Sequence, residues 1–428
     1  MPALFLQRPL RPADPVRTYY VVNGSSSFFY VLTFTLSLVY YVKDVGLSPL
    51  EMVLVGTVLE ATVFLAEIPT GLVADLSSRR LSIIIGLLLI GPAFVLQASI
   101  PTFIAVIAAQ VLWGLGYTFT SGAWEAWITD EIGADRVAPV FMREQQIHLA
   151  ATVLGTVAAG GLGLLSLRLP MVISGCGFLV LSVTLLVVMP EDHFHPLPKG
   201  QRDTFTHLTS TLVEGLKVAR RRQVVRYFFF ISVFVGLSSE AFDRLWTVRV
   251  LHDFAMPTLL GTNDPAAWFA LFALIGTVLA LTTSLVANKV SPERVNALHP
   301  NQLLAALTVL QVAGIIGLAL FGNLWIALAA MWVRDAALAL ARPIQAAWLN
   351  RNVDSSSRAT VLSMNGQADA IGQVVGGPPL GVLANRTSLA TARVASAVIL
   401  SPTALLYLRL RPTEHIPEAT TPTAGGCT

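Results

Sequence analysis

The sequence predicts an all-α integral membrane protein of about twelve spanning helices. Three observations carry the prediction. Only 12% of the 428 residues are charged while 54% are hydrophobic, and the mean hydropathy is +0.67; a soluble chain carries about 25% charged residues. The apolar residues fall in blocks of about 20, the length that crosses roughly 30 Å of hydrocarbon at about 1.5 Å per residue. Runs such as 81–96 and 172–189 hold no charge at all, which a soluble core would not require.

Taken in order, the first six spans are expected at 19–42, 50–74, 80–98, 102–128, 145–166 and 170–189. The second six follow at 226–250, 265–287, 301–320, 323–349, 359–383 and 389–409. Pro49, Pro101, Pro170, Pro190 and Pro300 stand at their edges, where a missing N–H costs little. The longest interruption, 190–225, is polar and contains Arg220, Arg221 and Arg222. It divides the chain into an N-terminal segment (1–18), a six-helix half (19–189), a central loop (190–225), a second six-helix half (226–409) and a tail (410–428).

Lysine and arginine set the orientation, because they favour the cytoplasmic side. Twenty of the 28 lie in the termini, the central loop and the loops on the same side. The opposite loops hold Lys43, Arg168 and Arg386. Both termini are therefore expected in the cytoplasm, with the chain multi-pass in a bacterial cytoplasmic membrane. Residues 1–18 hold three arginines but no apolar run, so no cleavable signal is expected. A weak internal repeat supports the two halves. At an offset of 222, Arg136, Met142, Gln145 and Gly155 match Arg358, Met364, Gln367 and Gly377, as parallel halves would.

Several function classes find no support. The net charge is only +3 and the basic residues sit in short loops, so no nucleic-acid partner is expected. Cys176 and Cys427 make no disulfide framework. Metal-ligand spacing, a nucleotide loop and a catalytic triad are all missing, so neither a metal nor an enzymatic activity is expected.

The strongest local motif is Gly71-Leu-Val-Ala-Asp75-Leu-Ser-Ser-Arg79-Arg80, at the cytoplasmic end of the second span. It resembles the G-x-x-x-D-x-x-G-R-[KR] loop of the major facilitator superfamily in both letters and place. Ser78 stands where the family usually has glycine and Leu76 where it often has arginine. The resemblance implies the major facilitator fold, no cofactor beyond a proton gradient, and a cytoplasmic gate. In that gate Gly71 lets helices approach closely, Asp75 accepts from the start of the eleventh helix, and Arg79 and Arg80 pair with acids or anionic lipid. Glu67 and Glu125 are expected as gate or inter-helix partners. The equivalent loop of the second half, from Asn288 and Lys289 to Glu293 and Arg294, is degenerate.

Two further stretches bear on the branch. Gly372-Gln-Val-Val-Gly376-Gly377-Pro378-Pro379-Leu-Gly381 is similar to a glycine–proline motif of drug–proton antiporters, but stands on the eleventh span rather than the fifth; Gly372, Gly376, Gly377, Pro378 and Gly381 are expected to serve close helix packing. Gln110-Val-Leu-Trp-Gly114 looks like the family's R-x-x-x-G motif with glutamine in place of arginine. The stretches 67–71 and 238–246 resemble bacterial efflux members of the tetracycline and macrolide type.

An ionisable side chain at a helix centre costs about 2.5–3.5 kcal/mol on insertion scales, so each one inside a span is a functional candidate. The seventh span carries Glu240, Asp243 and Arg244 on one face, and the tenth carries Arg334, Asp335 and Arg342. Glu60 lies mid-way along the second span, and Asp369 is on the eleventh. In the family fold the first, fourth, seventh and tenth helices line the cavity. Glu240, Asp243, Asp335 and Glu60 are accordingly expected to couple protons, with Glu240 or Asp243 paired to Arg334, Asp243–Arg244 as a local alternative, and Glu240 without an obvious local partner. Glu60 is equally suited to a polar contact with Gln373 or Asp369. Asn23, Gln110, Trp113, Tyr117, Arg244, Arg334 and Trp246 are expected on the cavity side, whereas Trp124 and Trp127 suit the interfacial belt. The resemblance implies a secondary active transporter working by alternating access, expected as a monomer in the bilayer, moving a small molecule with protons. Because the cavity-side residues are aromatic with few amides, export of amphipathic drugs or natural products leads over proton-coupled uptake of a metabolite. A non-transporting receptor or scaffold on the same fold is the alternative from another class.

Overall fold

The computed structural model describes residues 13–196, 222–259, 261–289, 299–351, 353 and 358–410. Arg220, Arg221, Glu293, Arg294 and Cys427 lie outside them. The first half holds α1 (Pro15–Tyr40, continued by a π-helical turn Tyr41–Val45), α2 (Pro49–Leu76) and α3 (Arg79–Ser99), then α4 (Phe103–Thr120), α5 (Ala123–Ile132), α6 (Ala134–Gly163) and α7 (Leu169–Val188). The second holds α8 (Gln223–Asp253), α9 (Pro265–Lys289), α10 (Pro300–Leu320) and α11 (Leu324–Arg351), then α12 (Arg358–Arg386), α13 (Leu389–Leu400) and α14 (Pro402–Arg409). Among the described residues, eleven spans are long and apolar enough to cross a membrane, with α4–α5 forming one and α13–α14 another. Helix α12 is 29 residues long but carries Asn365, Asp369, Gln373 and Asn385, which lower its apolarity. It completes twelve.

Capping explains where the helices start. Ser48 and Glu51 form a capping box on α2. Ser78 Oγ accepts from Leu81 N at 2.9 Å and so caps α3. The same hydroxyl donates to Glu191 Oε2 at 2.6 Å, which gives a serine a use that glycine could not fill. The fourth span, expected as one helix, breaks instead. Gly122, at φ +70°, takes the left-handed conformation between α4 and α5.

The packing repeats across the halves. In the first, α1 packs on α6, α3 on α4 and α7, and α2 on α4; in the second, α8 packs on α12, α10 on α11, α13 and α14, and α9 on α11. Between the halves α2 meets α12 and α8, and α6 and α1 meet α9. The apolar clusters show which end is shut. One joins Leu36 and Ala159 to Phe242, Ala266 and Phe269 across the halves; another joins Met52 and Val53 to Leu245 and Leu380. Both lie toward the end opposite the termini, where Leu50 N donates to Asn385 Oδ1 at 3.0 Å. Toward the terminal end each cluster belongs to one half, Tyr19, Ile84 and Trp127 in the first and Phe228, Trp348 and Tyr407 in the second. The protein is closed at one end and open at the end that carries the termini.

Candidate functional site

The seventh span supplies the centre of the site. Helix α8 places Glu240, Asp243 and Arg244 within one turn and a third. Glu240, expected to lack a local partner, pairs with Arg244 at 2.9 Å and is 3% exposed. Arg244 therefore does not join Asp243. It is Asp243 that faces Arg334 of α11, at 3.5 Å, with its carboxylate 54% exposed. Arg334 also donates to Asp335 at 2.9 Å, and its guanidinium lies 4.2 Å from the centre of the Phe242 ring. One cation thus serves two cavity-facing carboxylates.

Around this triad lie two cavities. A polar one in the second half, about 290 Å³, is lined by Asp243, Arg334 and Arg342 together with Gln311, Gln345, Asn365 and Gln373. An aromatic one between the halves, about 300 Å³, is lined by Phe34 of α1 and by Phe242, Trp246, Phe269, Phe272 and Trp332. A third of about 230 Å³ lies in the first half, where Asn23, Tyr117 and Glu125 share a wall. The four amides of the polar cavity depart from the sparse amide content expected from sequence. Gln311 and Gln345 were legible only as polar side chains inside apolar helices.

Other candidates fall differently. Gln110 is buried, and its Nε2 donates to Tyr41 Oη at 3.1 Å and Gln97 Oε1 at 3.4 Å; it ties α4 to α1 and α3 and does not face a cavity. Trp113 packs against Phe34 with centroids 4.8 Å apart. Trp127, expected in the interfacial belt, is 1% exposed and donates to Pro190 O at 2.7 Å, so it is core. Asp369 accepts from Gln373 Nε2 at 2.9 Å; among the described residues no hydrogen bond reaches Glu60, which stands within electrostatic range of Glu240, Arg244 and Asp369.

The gate loop lies at the open end. A Cβ at Gly71 would meet nothing within 4 Å, so this glycine brings no helices together here. No hydrogen bond joins Asp75 to α12 among the described residues, and Glu67 is exposed. Arg79 pairs with Asp130 of α5. Arg80 is buried, donating from its guanidinium to Leu186 O at 2.7 Å and from its backbone to Glu191 at 2.9 Å, rather than facing lipid. For Gly71 and Asp75 the physical reason is that the two halves are parted at this end, whereas Arg79 and Arg80 bind partners outside the second half. At the closed end the glycines of α12 work in two offset pairs. Gly372 and Gly376 admit α8 at Val233–Leu237, while Gly377 and Gly381 admit α2 at Val53 and Leu50. Pro378, inside α12, follows directly on Gly377 within the second pair.

A twelve-helix bundle of two similarly packed halves, closed at one end over a charged cavity, defines a membrane transporter. The chain belongs to the Major Facilitator Superfamily, whose family model matches residues 20–377. It is 24% identical over 364 residues to a Bacillus subtilis (strain 168) protein described as an uncharacterized MFS-type transporter, YxaM, covering 84% of this chain and 86% of that one. Among solved structures it is similar to the nucleoside transporter NupG, at TM-score 0.73 and 13% identity over 93% of this chain and 100% of that one. It is also similar to a D-xylose-proton symporter, at TM-score 0.63 and 15% identity over 93% and 98%. At these identities the solved structures show the fold.

Proposed function

We propose that this protein is a proton-coupled secondary transporter of a small polar molecule, working by alternating access. The observation that carries the reading is the sharing of Arg334 by Asp243 and Asp335. Arg334 is only 10% exposed, and a buried cation left without a partner is destabilising. With two acids on one cation, Asp243 can take up a proton while Asp335 keeps Arg334 satisfied. A proton can therefore come and go without orphaning a charge. The four amides and Arg342 beside the triad suit a substrate rich in hydrogen-bonding groups, because a site that hydrogen-bonds its ligand rejects analogues lacking those groups. Glu240, already paired and wedged between helices, supports closure rather than coupling.

A second reading, export of amphipathic drugs or natural products, is favoured by the aromatic cavity between Phe34 and Trp246. Transport into energised inverted membrane vesicles separates the two. Nucleosides, sugars and dipeptides are assayed beside ethidium, with and without an uncoupler, together with uptake by intact cells. Uncoupler-sensitive movement of a polar solute, lost in Asp243→Asn, supports the proposal. Movement of ethidium alone supports the second reading, and uncoupler-insensitive movement rejects proton coupling.

A further inference from the structure

We infer that the cavity in the first half is a binding site for an organic cation, with Glu125 as the counter-ion. This rests on the transporter reading above and adds a second ligand subsite, apart from the polar cavity that Arg334 lines. The cavity opens where the fourth span breaks at Gly122, so that Ser121 and Gly122 form part of its wall. The fourth span is thus interrupted where it borders this cavity.

Four observations fix the chemistry. The Glu125 side chain is exposed to the cavity, and among the described residues no hydrogen bond or ion pair engages its carboxylate. Glu144 of α6, beside His148, stands within electrostatic range of Glu125, and neither lysine nor arginine lines the cavity; a cation entering here meets the negative charge of Glu125. The rings of Tyr30, Tyr117 and Trp124 share the wall, with Tyr117 43% exposed, and aromatic faces attract cations. Ser26 lines the same cavity at 8% exposure, and its Oγ has no hydrogen-bond partner among the described residues. Buried hydroxyls are ordinarily satisfied, and this one lines the cavity wall without a protein partner. His148 is already engaged, its Nδ1 lying 2.8 Å from Ser27 Oγ. The free N–H groups at the start of α5 would by themselves attract an anion, but Glu125 occupies that first turn and answers them.

The ligand class is therefore an amine, protonated at neutral pH, carrying an apolar or aromatic group. The probes are benzylamine and benzoate, a cation and an anion of matched shape, titrated calorimetrically into the full-length protein in detergent. The cation is expected to bind about tenfold tighter than the anion. Glu125→Gln is expected to erase most of that preference, and Tyr117→Leu to weaken the cation about threefold while Tyr117→Phe does not. Size-exclusion profiles and melting temperatures show that each variant is folded. Equal binding of both probes, or wild-type cation binding by Glu125→Gln, overturns the inference. The comparison of probes in the unmodified protein needs no variant at all. No gradient is present, so failure of proton coupling leaves this result untouched, and failure of cation binding leaves proton coupling standing.

Discussion

Glu240 Oε1 and Arg244 Nε, 2.9 Å apart on α8, form their ion pair in the notch that Gly56 leaves in α2. A Cβ at position 56 would overlap the carboxylate, and on the other side Glu240 Cγ lies 3.2 Å from where a Cβ of Gly377 on α12 would stand. The pair is thus held where α2, α8 and α12 converge, at the closed end. Its burial is matched by a partner and by a helix surface with room for it, so the seam between the halves depends on one missing methyl group.

Gly56→Ala should loosen that seam. Overpacking of this kind costs about 1–3 kcal/mol, and the strain falls on the closed state alone if the halves separate here on opening. The melting temperature in detergent should drop, and a cysteine placed at Leu50 should label faster with a membrane-impermeant reagent. Adding Glu240→Ala should cost less in the Gly56→Ala background than in the unmodified protein, because the added methyl has already disturbed that ion pair. Additive losses in the double variant would show that the notch and the ion pair are unrelated.

The sharing of Arg334 predicts an asymmetry among three substitutions. Asp243→Asn leaves Arg334 with Asp335, so it should cost less than about 1 kcal/mol in stability while abolishing the dependence of transport on a pH gradient. Arg334→Met leaves two half-exposed carboxylates facing each other with no cation between them, and should destabilise more than Asp243→Asn does. Thermal unfolding of the two variants, read beside liposome transport, checks the order. Equal stability of both would mean that the triad is not an interacting unit.

What the sequence made legible follows from where its physics is local. The spans, the edge prolines and the charge inside the membrane depend on runs and spacings along the chain, and α1 to α14 lie close to where those place them. The Gly372–Gly381 stretch was recognisable as close packing, though not that its two pairs face different helices. Partners were less legible. Glu240 and Arg244 stand four residues apart, a helical neighbour relation, yet Asp243 was equally placed beside Arg244 until Arg334 arrived from α11 to claim it. Gln110 and Trp127 point inward because of contacts with Gln97 and Pro190, which no periodicity of their own helix encodes. The gate residues Gly71 and Asp75 are engaged only if the terminal ends meet, and a sequence carries no record of which state is populated.

Gln110 gives a test of structure against substrate binding. Its amide joins Tyr41 and Gln97 in a buried network, with Tyr40 Oη donating to Gln97 O at 2.7 Å nearby. Gln110→Leu strands polar groups of that network, at about 1–3 kcal/mol. The melting temperature should fall while the KM for transport by folded protein stays unchanged. A raised KM with unaltered stability would return Gln110 to the substrate path.

The closed end offers the most direct test of alternating access. A Cβ at position 381 on α12 would stand 3.3 Å from Val53 Cβ on α2, close to the separation of about 3.5–4.5 Å that a disulfide spans. In the double variant Val53→Cys with Gly381→Cys, the two thiols meet only while this end is shut. Oxidation should therefore form the bond readily, hold the halves together and stop transport, and reductant should restore it. Each single variant should transport with and without oxidant. Because Gly381 also lies against Leu50, the single Gly381→Cys variant reports any cost of the added side chain by itself. Full transport by the cross-linked protein would mean that α2 and α12 do not part during the cycle, and the closed end would then be a fixed floor rather than a gate.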